Sequence, residues 1–356
     1  MKKVFLESHN LKNKYSGFGQ FNYHLIKALA KLPMKGFQIT LHAKNINELK
    51  AEFGSKFNYK KYRSVTRHLP FRIKEKYDLW HCMNQNIKIE PFFNIPYLLT
   101  VHDIHFITEG SPLLQLKLKT KFNEKLKRAN AIVYISEFAK KDTHENFQVP
   151  KVPEYVIHNG NTITDINMPA DYKPALVPPH PYLFSIGDFS ERKNFMTLVE
   201  MLEFLPDYNL VLAGSPDSIY ADKLKAIITA KNFEDRVKLI GKIEDLDKQY
   251  YFQNCEAFVF PSLREGFGIP PIEAMRFGKP IFISNNTSLP EVGGEHSFYW
   301  DHYDPEYMAD TFKLGMARFH NAQEFYENWY VDRAKSFSWD DTAKQYLEVY
   351  RKLLEL

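Results

Sequence analysis

Hydrophobic positions along this chain fall into short unbroken runs, each closed by a polar residue or a glycine. A first series comprises Val4-Phe5-Leu6, Phe37-Gln38-Ile39-Thr40-Leu41, Asp78-Leu79-Trp80-His81, Tyr97-Leu98-Leu99-Thr100-Val101, Ala131-Ile132-Val133-Tyr134-Ile135 and Val156-Ile157. After the first run, Phe21, Leu25, Leu29 and Leu32 recur near helical spacing, predicting a helix from Gly19 to Leu32 behind a polar loop that holds Gly17 and Gly19. Ser136 is placed to cap a helix after Ile135. A second series begins at Tyr182-Leu183-Phe184-Ser185-Ile186-Gly187. It continues through Leu210–Gly214, Val237–Gly241, Ala257–Phe260 and Pro280–Ser284. Apolar runs alternating with helices predict an α/β fold with parallel sheets. Strands ending in glycine or polar residues put ligand groups at the carboxyl edge of such sheets.

Pro169, Pro174, Pro178, Pro179 and Pro181 crowd the gap between the two series, and 356 residues exceed the usual size of one core. The expected division is a first domain over 1–165, a proline-rich linker over 166–181 and a second domain over 182–325. A helical tail over 326–356, rich in Trp329, Phe337, Trp339, Tyr346 and Tyr350, is expected to cross back onto the first domain.

Charge changes the picture more than composition does. Through His180 there are 28 Lys and Arg against 15 Asp and Glu; beyond it there are 19 against 28. A basic first half suits an anionic membrane surface or a phosphate-bearing acceptor. Lys117, Lys119, Lys121, Lys125, Lys127 and Arg128 alternate with Leu113, Leu114, Leu116, Leu118, Phe122 and Leu126, a pattern open to two readings. It fits first a helix packed on its own sheet with a solvated basic face, and also a basic amphipathic helix on anionic lipid. The basic residues are dispersed and no aromatic-basic recognition motif appears, so no nucleic acid is expected as partner. Cys82 and Cys255 lack ligand spacing and are expected as buried thiols. The N-terminus turns polar at Glu7 and no run approaches membrane-spanning length, so the cytoplasm, with at most peripheral membrane contact, is the expected location.

The richest chemistry stands in Leu263-Arg264-Glu265-Gly266-Phe267-Gly268-Ile269-Pro270-Pro271-Ile272-Glu273. Two carboxylates eight residues apart flank a glycine-aromatic-glycine turn between a buried strand and a helix starting near Pro270 or Pro271. Two carboxylates offered to one elongated ligand suit a sugar and a ribose. Arg192 and Lys193, before the helical pattern of Phe195, Leu198 and Leu202, are ill matched to a helix dipole and better matched to a bound diphosphate. Gly17 and Gly19 by themselves fit a structural turn as well as an active-site loop. His102 follows a strong strand, and His102, Asp103 and His105 match no closed metal site.

Together these segments, with Thr287-Ser288-Leu289-Pro290-Glu291-Val292-Gly293-Gly294, resemble the retaining glycosyltransferases of family four over essentially the whole length. The resemblance implies the GT-B fold, two Rossmann-like domains facing across a cleft, and is nearest to bacterial surface-polysaccharide mannosyltransferases. It implies a nucleotide diphosphate sugar donor, GDP-mannose or a UDP-sugar, with no divalent metal, and a glycan or lipid-linked saccharide acceptor. On the same basis Arg192 and Lys193 hold the diphosphate, Glu273 the ribose, and Glu265 the sugar hydroxyls. Gly266, Phe267 and Gly268 would bring backbone donors, and Ile243 would meet the base. His102 would contact the transferred sugar, with Gly17 and Gly19 lining the diphosphate and acceptor side. Front-face retention is the mechanism proposed for this family; double displacement through Glu265 stays open, as do a phosphorylase-like or sucrose-synthase-like activity. The contrasting class is a nonenzymatic binder of anionic surfaces or nucleic acid.

Overall fold

A computed structural model describes residues 1–13 and 16–356, and its backbone contacts divide into two units. The first unit comprises Met1–Gly160 together with Ser338–Leu356; the second is Asn161–Phe337.

The first unit is built on a wholly parallel seven-stranded sheet: β1 (Lys2–Glu7), β2 (Phe37–Ala43), β3 (Asn58–Lys61), β4 (Leu79–Cys82), β5 (Tyr97–Val101), β6 (Ala131–Tyr134) and β7 (Glu154–Val156), in spatial order 3-2-1-4-5-6-7. Its first four helices are α1 (Gly17–Lys31), α2 (Ile46–Phe53), α3 (Pro112–Arg128) and α4 (Glu137–Asn146). The second unit carries a parallel six-stranded sheet: β8 (Tyr182–Ile186), β9 (Asn209–Ala213), β10 (Val237–Gly241), β11 (Ala257–Phe260), β12 (Ile281–Ser284) and β13 (Phe298–Trp300), ordered 10-9-8-11-12-13. Its helices are α5 (Phe195–Met201), α6 (Ile219–Ala230), α7 (Asp245–Asn254), α8 (Ile269–Met275), α9 (Leu289–Gly293), α10 (Pro305–Asn321) and α11 (Gln323–Ser336). The final helix, α12 (Trp339–Leu354), belongs to the first unit.

Both sheets reverse strand order beside their first strand, the topology that opens a ligand crevice at the carboxyl ends of the strands. The central strands are buried throughout because helices cover both faces. Two edge strands escape the hydrophobic pattern. β3 reads Asn-Tyr-Lys-Lys and β13 only three residues, since an edge strand has one hydrogen-bonding neighbour and needs less burial.

The expected tail over 326–356 is not one element. The chain turns at Phe337, with α11 on one side in the second unit and α12 on the other in the first. On the first side, Arg333 stacks 4.9 Å over the Phe337 ring. On the second, Tyr346 and Tyr350 reach Thr100 and His81 at 3.1 and 2.8 Å. The polar loop expected at Gly17 and Gly19 is also different: both glycines lie in the first turn of α1. Ser16 caps that helix by accepting from the Gly19 N–H at 3.1 Å, which starts it two residues earlier than apolar spacing indicates. Ser136 caps α4 in the same way, and both cysteines are buried and free.

Candidate active site

A cluster of ionic groups in the second unit forms where two neighbouring strands end. After β8 the chain makes one tight turn, Glu191–Lys193, closed by Asn194 in the left-handed conformation (φ 55°) before α5 begins. Lys193 runs back beneath Gly187, where an added Cβ would stand 3.0 Å from its Cε. Its Nζ lies 4.5 Å from the centre of the Phe260 ring and 2.6 Å from Glu265 Oε1. Arg192 reaches the same oxygen at 3.0 Å and donates to the Arg264 carbonyl at 2.8 Å. These segments meet because β8 and β11 are paired.

Glu265 also accepts from Ser262 Oγ at 2.5 Å, while its own N–H donates to Thr287 Oγ1 at 3.1 Å. Ser288 Oγ donates to the carbonyls of Glu265 (3.0 Å) and Phe267 (2.7 Å), fixing the loop. Burial alone would raise the Glu265 carboxyl, but Lys193 and Arg192 hold it below the usual carboxylate range. Lys193, only 7% exposed, is pushed down by burial, with Glu265 opposing. One carboxylate is therefore shared by two cations.

The loop between the glutamates is shaped by its backbone. Gly268 has φ 113°, a conformation that disfavours any side chain, and it leads into α8, whose first turn accommodates Pro270 and Pro271. Phe267 is buried edge-on to Phe337, and Gly266 is half-buried between Glu265 and Phe267. Glu273 lies on α8, 4% exposed. Its Oε1 accepts from Lys248 Nζ at 2.8 Å and from Thr162 Oγ1. Burial would lower Lys248, but Glu273 outweighs it and raises the ammonium above its ordinary value. Ile243 is half-buried in the loop joining β10 to α7, the helix that carries Lys248.

His102, Gly17 and Gly19 belong to the first unit. His102 is 5% exposed, with Phe18 and Phe21 of α1 edge-on to its ring at 4.9 and 4.5 Å. Its Nε2 lies 2.9 Å from the Met83 carbonyl, which can only accept, so Nε2 carries the proton and Nδ1 is an acceptor. Burial lowers its pKa to about 4, against the opposing effects of Met83 and Asp103, and the ring is neutral at neutral pH. A Cβ on Gly19 would fall 1.8 Å from the Asn13 carbonyl oxygen, so that glycine has a structural reason of its own; above Gly17 the space is open. Asp103 is hydrogen-bonded to His105, and among the described residues no three His, Cys, Asp or Glu side chains gather as a metal group.

The structure thus brings Arg192, Lys193 and Glu265 into direct contact and gives Glu273 a separate cationic partner. Lys248, Thr162 and Ser262 are absent from the sequence reading, because no spacing ties them to the glutamates they touch. Thr287 and Ser288 stand inside the quoted Thr-Ser-Leu-Pro-Glu-Val segment, and that segment was the available signal.

Residues 171–330 match the family model described as "Glycosyl transferases group 1", and residues 15–162 match "Glycosyltransferase Family 4". The chain belongs to glycosyltransferase family 4. The transferase is 26% identical over 99% of its length to O-antigen chain mannosyltransferase B of Escherichia coli, the whole of which is covered. Sucrose-phosphate synthase from Thermosynechococcus elongatus superposes with a TM-score of 0.75 at 19% identity, covering 100% of both chains. The Anabaena protein Alr3699/HepE, solved in complex with UDP and glucose, superposes at 0.72 with 16% identity over 99% of this chain and 100% of that one. The fold is therefore GT-B. Among the described residues no helix is long and apolar enough to cross a membrane.

Proposed function

We propose that the transferase moves a hexosyl group, mannosyl by preference, from a nucleotide diphosphate sugar to a glycan or lipid-linked saccharide in bacterial envelope polysaccharide synthesis, with retention at the anomeric carbon. The convergence of Arg192 and Lys193 on Glu265 at 3.0 and 2.6 Å carries this reading. Two cations converging at one point can meet a diphosphate, whose charge as leaving group grows as the glycosidic bond breaks. In this reading the C1–phosphate bond breaks while the acceptor oxygen bonds C1 on the same face, and the acceptor proton passes to the departing phosphate oxygen. Glu265 accepts from sugar hydroxyls, Glu273 from the ribose, and the neutral His102 offers Nδ1 to a sugar hydroxyl. Gly266, Phe267 and Gly268 supply backbone donors, Ile243 the contact to the base, and Gly17 and Gly19 the acceptor side. Arg192 and Lys193 take the electrostatic role for which other transferases use a divalent ion.

The mannosyl preference is supported by the full-length similarity to O-antigen chain mannosyltransferase B. The test is a donor screen of the purified chain with GDP-mannose and the common UDP-hexoses, with and without EDTA, reading nucleotide release and the product's anomeric proton coupling. Turnover of GDP-mannose that resists EDTA and gives an α-product is expected. Turnover of a UDP-sugar alone overturns the mannosyl assignment, and an inverted product overturns retention.

A further inference from the structure

Between β12 and α9 the chain makes a tight turn: the Leu289 N–H donates to the Asn286 carbonyl at 3.2 Å, with Thr287 and Ser288 as the central residues. Thr287 has φ 54°, and Ser288 has φ −84° and ψ −7°. A turn with positive φ at its first central position takes glycine by preference, because a Cβ there crowds the following carbonyl. Among the described residues, four that are not glycine have positive φ: Asn194, Asn232, Thr287 and Glu355. Asparagine tolerates that conformation, and Glu355 is the C-cap of α12. Thr287 is the β-branched one of the four, the class of side chain for which positive φ is a genuine outlier. A residue so strained persists only where its surroundings hold it, and such residues gather at functional sites.

The hydrogen bonds show what the strained turn secures. Thr287 Oγ1 accepts from the Glu265 N–H at 3.1 Å and lies 3.2 Å from Asn286 Oδ1. A backbone N–H can only donate, so the Thr287 oxygen is the acceptor toward Glu265 and its own proton turns to Asn286. Asn286 is tied in turn to the Tyr303 hydroxyl at 2.6 Å, beyond the end of the next strand. Ser288 Oγ holds the Glu265 carbonyl at 3.0 Å from the following position. Two consecutive hydroxyls therefore pin the peptide groups on both sides of the Glu265 Cα. Glycine would relax this turn, but it would leave the Glu265 N–H without its acceptor. The methyl of threonine also restricts χ1, which keeps the hydroxyl aimed at Glu265.

We propose that Thr287 is a positioning residue for Glu265: its hydroxyl, set by a strained turn, fixes the backbone from which the Glu265 carboxylate projects toward the transferred sugar. The inference rests on the reading of Glu265 as an acceptor for sugar hydroxyls. Lys193, Arg192 and Ser262 hold the carboxylate end of that side chain, and Thr287 with Ser288 holds its root. Once a diphosphate draws the two cations away, the root is what keeps the carboxylate aimed. Placement of this kind matters to the rate, since misplacing a reacting or contacting group by about 1 Å can cost about a hundredfold.

The test sets rates of nucleotide release, from GDP-mannose or whichever UDP-sugar the donor screen selects, beside thermal melting of the full chain. Thr287→Val keeps the branched shape and the strain but removes the hydroxyl; Thr287→Gly removes both. Each should lose kcat about tenfold with the donor KM changed less than about threefold, because the affected contact is one of placement. Yet Thr287→Gly should melt at least about 2 °C above Thr287→Val, its turn being relaxed. Thr287→Ser, which keeps the hydroxyl, should hold kcat within about threefold of the parent. A threonine with a merely structural role predicts that rate follows melting temperature, so a parental rate in Thr287→Gly overturns the proposal. Glu265→Ala supplies the second arm. In that background Thr287→Val should cost no further rate, since the group it positions is gone. A slow Glu265→Ala enzyme that Thr287→Val slows again by the full factor overturns the positioning role and leaves the reading of Glu265 standing. Parental turnover by Glu265→Ala removes that reading, and the positioning role with it.

Discussion

Replacing Glu265 with glutamine should tighten product binding while slowing transfer. Glutamine keeps the size of the side chain and can still hydrogen-bond Ser262, but it removes the charge that Lys193 and Arg192 share at 2.6 and 3.0 Å. A phosphate oxygen held by the same Lys193 ammonium would stand about 5 Å from the carboxylate. At an effective dielectric constant of about 20, two unit charges at that distance repel by about 3 kcal/mol. Salt and the partial exposure of Arg192 reduce this to about 1–2 kcal/mol, so Kd for the nucleoside diphosphate should fall roughly tenfold in the variant. Turnover should move the opposite way. A hydrogen bond to a charged acceptor is worth about 1.5–3 kcal/mol against about 1 kcal/mol for a neutral one, which is a loss of roughly tenfold in kcat. Calorimetric titration with GDP and UDP, set beside initial rates of nucleotide release, measures both. A variant that binds nucleoside diphosphate no more tightly and turns over normally would refute the shared-carboxylate account.

If Glu273 takes the proposed ribose role, Lys248→Met should weaken nucleoside diphosphate binding about tenfold, yet leave a 2′,3′-dideoxy analogue bound as before, because Lys248 and Thr162 hold one Glu273 oxygen in place. Equal losses for both ligands in parallel titrations would remove that role. Stability should decline in acid. Burial lowers His81 to about 3 and His102 to about 4, both from 6.5, so the unfolded chain takes up protons that the folded chain refuses as pH falls from about 6.5 toward 4. Each histidine contributes on the order of 3 kcal/mol to that loss, and urea melts of His81→Gln at pH 7 and pH 5 should show a flatter dependence than the parent. A slope unchanged by that substitution would place the acid sensitivity elsewhere. Gly214→Ala should lower the melting temperature and nucleotide affinity together, since its Cβ would fall 2.1 Å from the carbonyl of Gly187, the glycine against which Lys193 packs. An unaffected melting temperature would mean that the loop moves freely.

Strands buried on both faces were legible because burial writes itself as continuous hydrophobic residues: Val4 to Leu6 and Ala257 to Phe260 need no partner to be read. The edge strand at Asn58–Lys61 was not, since its pairing to β2 rests on backbone hydrogen bonds that any residue can make. The start of α1 depended on a single serine oxygen rather than on apolar periodicity, which is why Gly17 and Gly19 read as loop. Within the site, the motif residues were legible as chemical types, a cation pair and two carboxylates. Their pairing was not. Arg192 and Glu265 are 73 positions apart, and only the adjacency of β8 and β11 makes them neighbours. Lys248 touches Glu273 through a helix packed beside α8, and no sequence spacing encodes that.

The pairing changes what the motif does before any donor arrives. Burial pushes the Lys193 ammonium below its ordinary value, and the Glu265 carboxylate opposes that shift. Glu265 holds Lys193 in place at 2.6 Å, and Ser262 supports the carboxylate in turn. In the proposed mechanism an incoming diphosphate meets cations already oriented, and its own charge replaces part of what Glu265 supplied. On the proposed roles, the carboxylate, relieved of one or both partners, becomes available to the sugar hydroxyls at the moment the diphosphate is seated. Donor binding and activation of Glu265 are in this way one event, and a ligand carrying the sugar without the diphosphate should leave the ion pair closed and bind weakly. Free mannose should therefore show no measurable heat of binding to the unliganded transferase, yet bind once GDP is present. Equal binding in both conditions would separate the two events and remove the coupling.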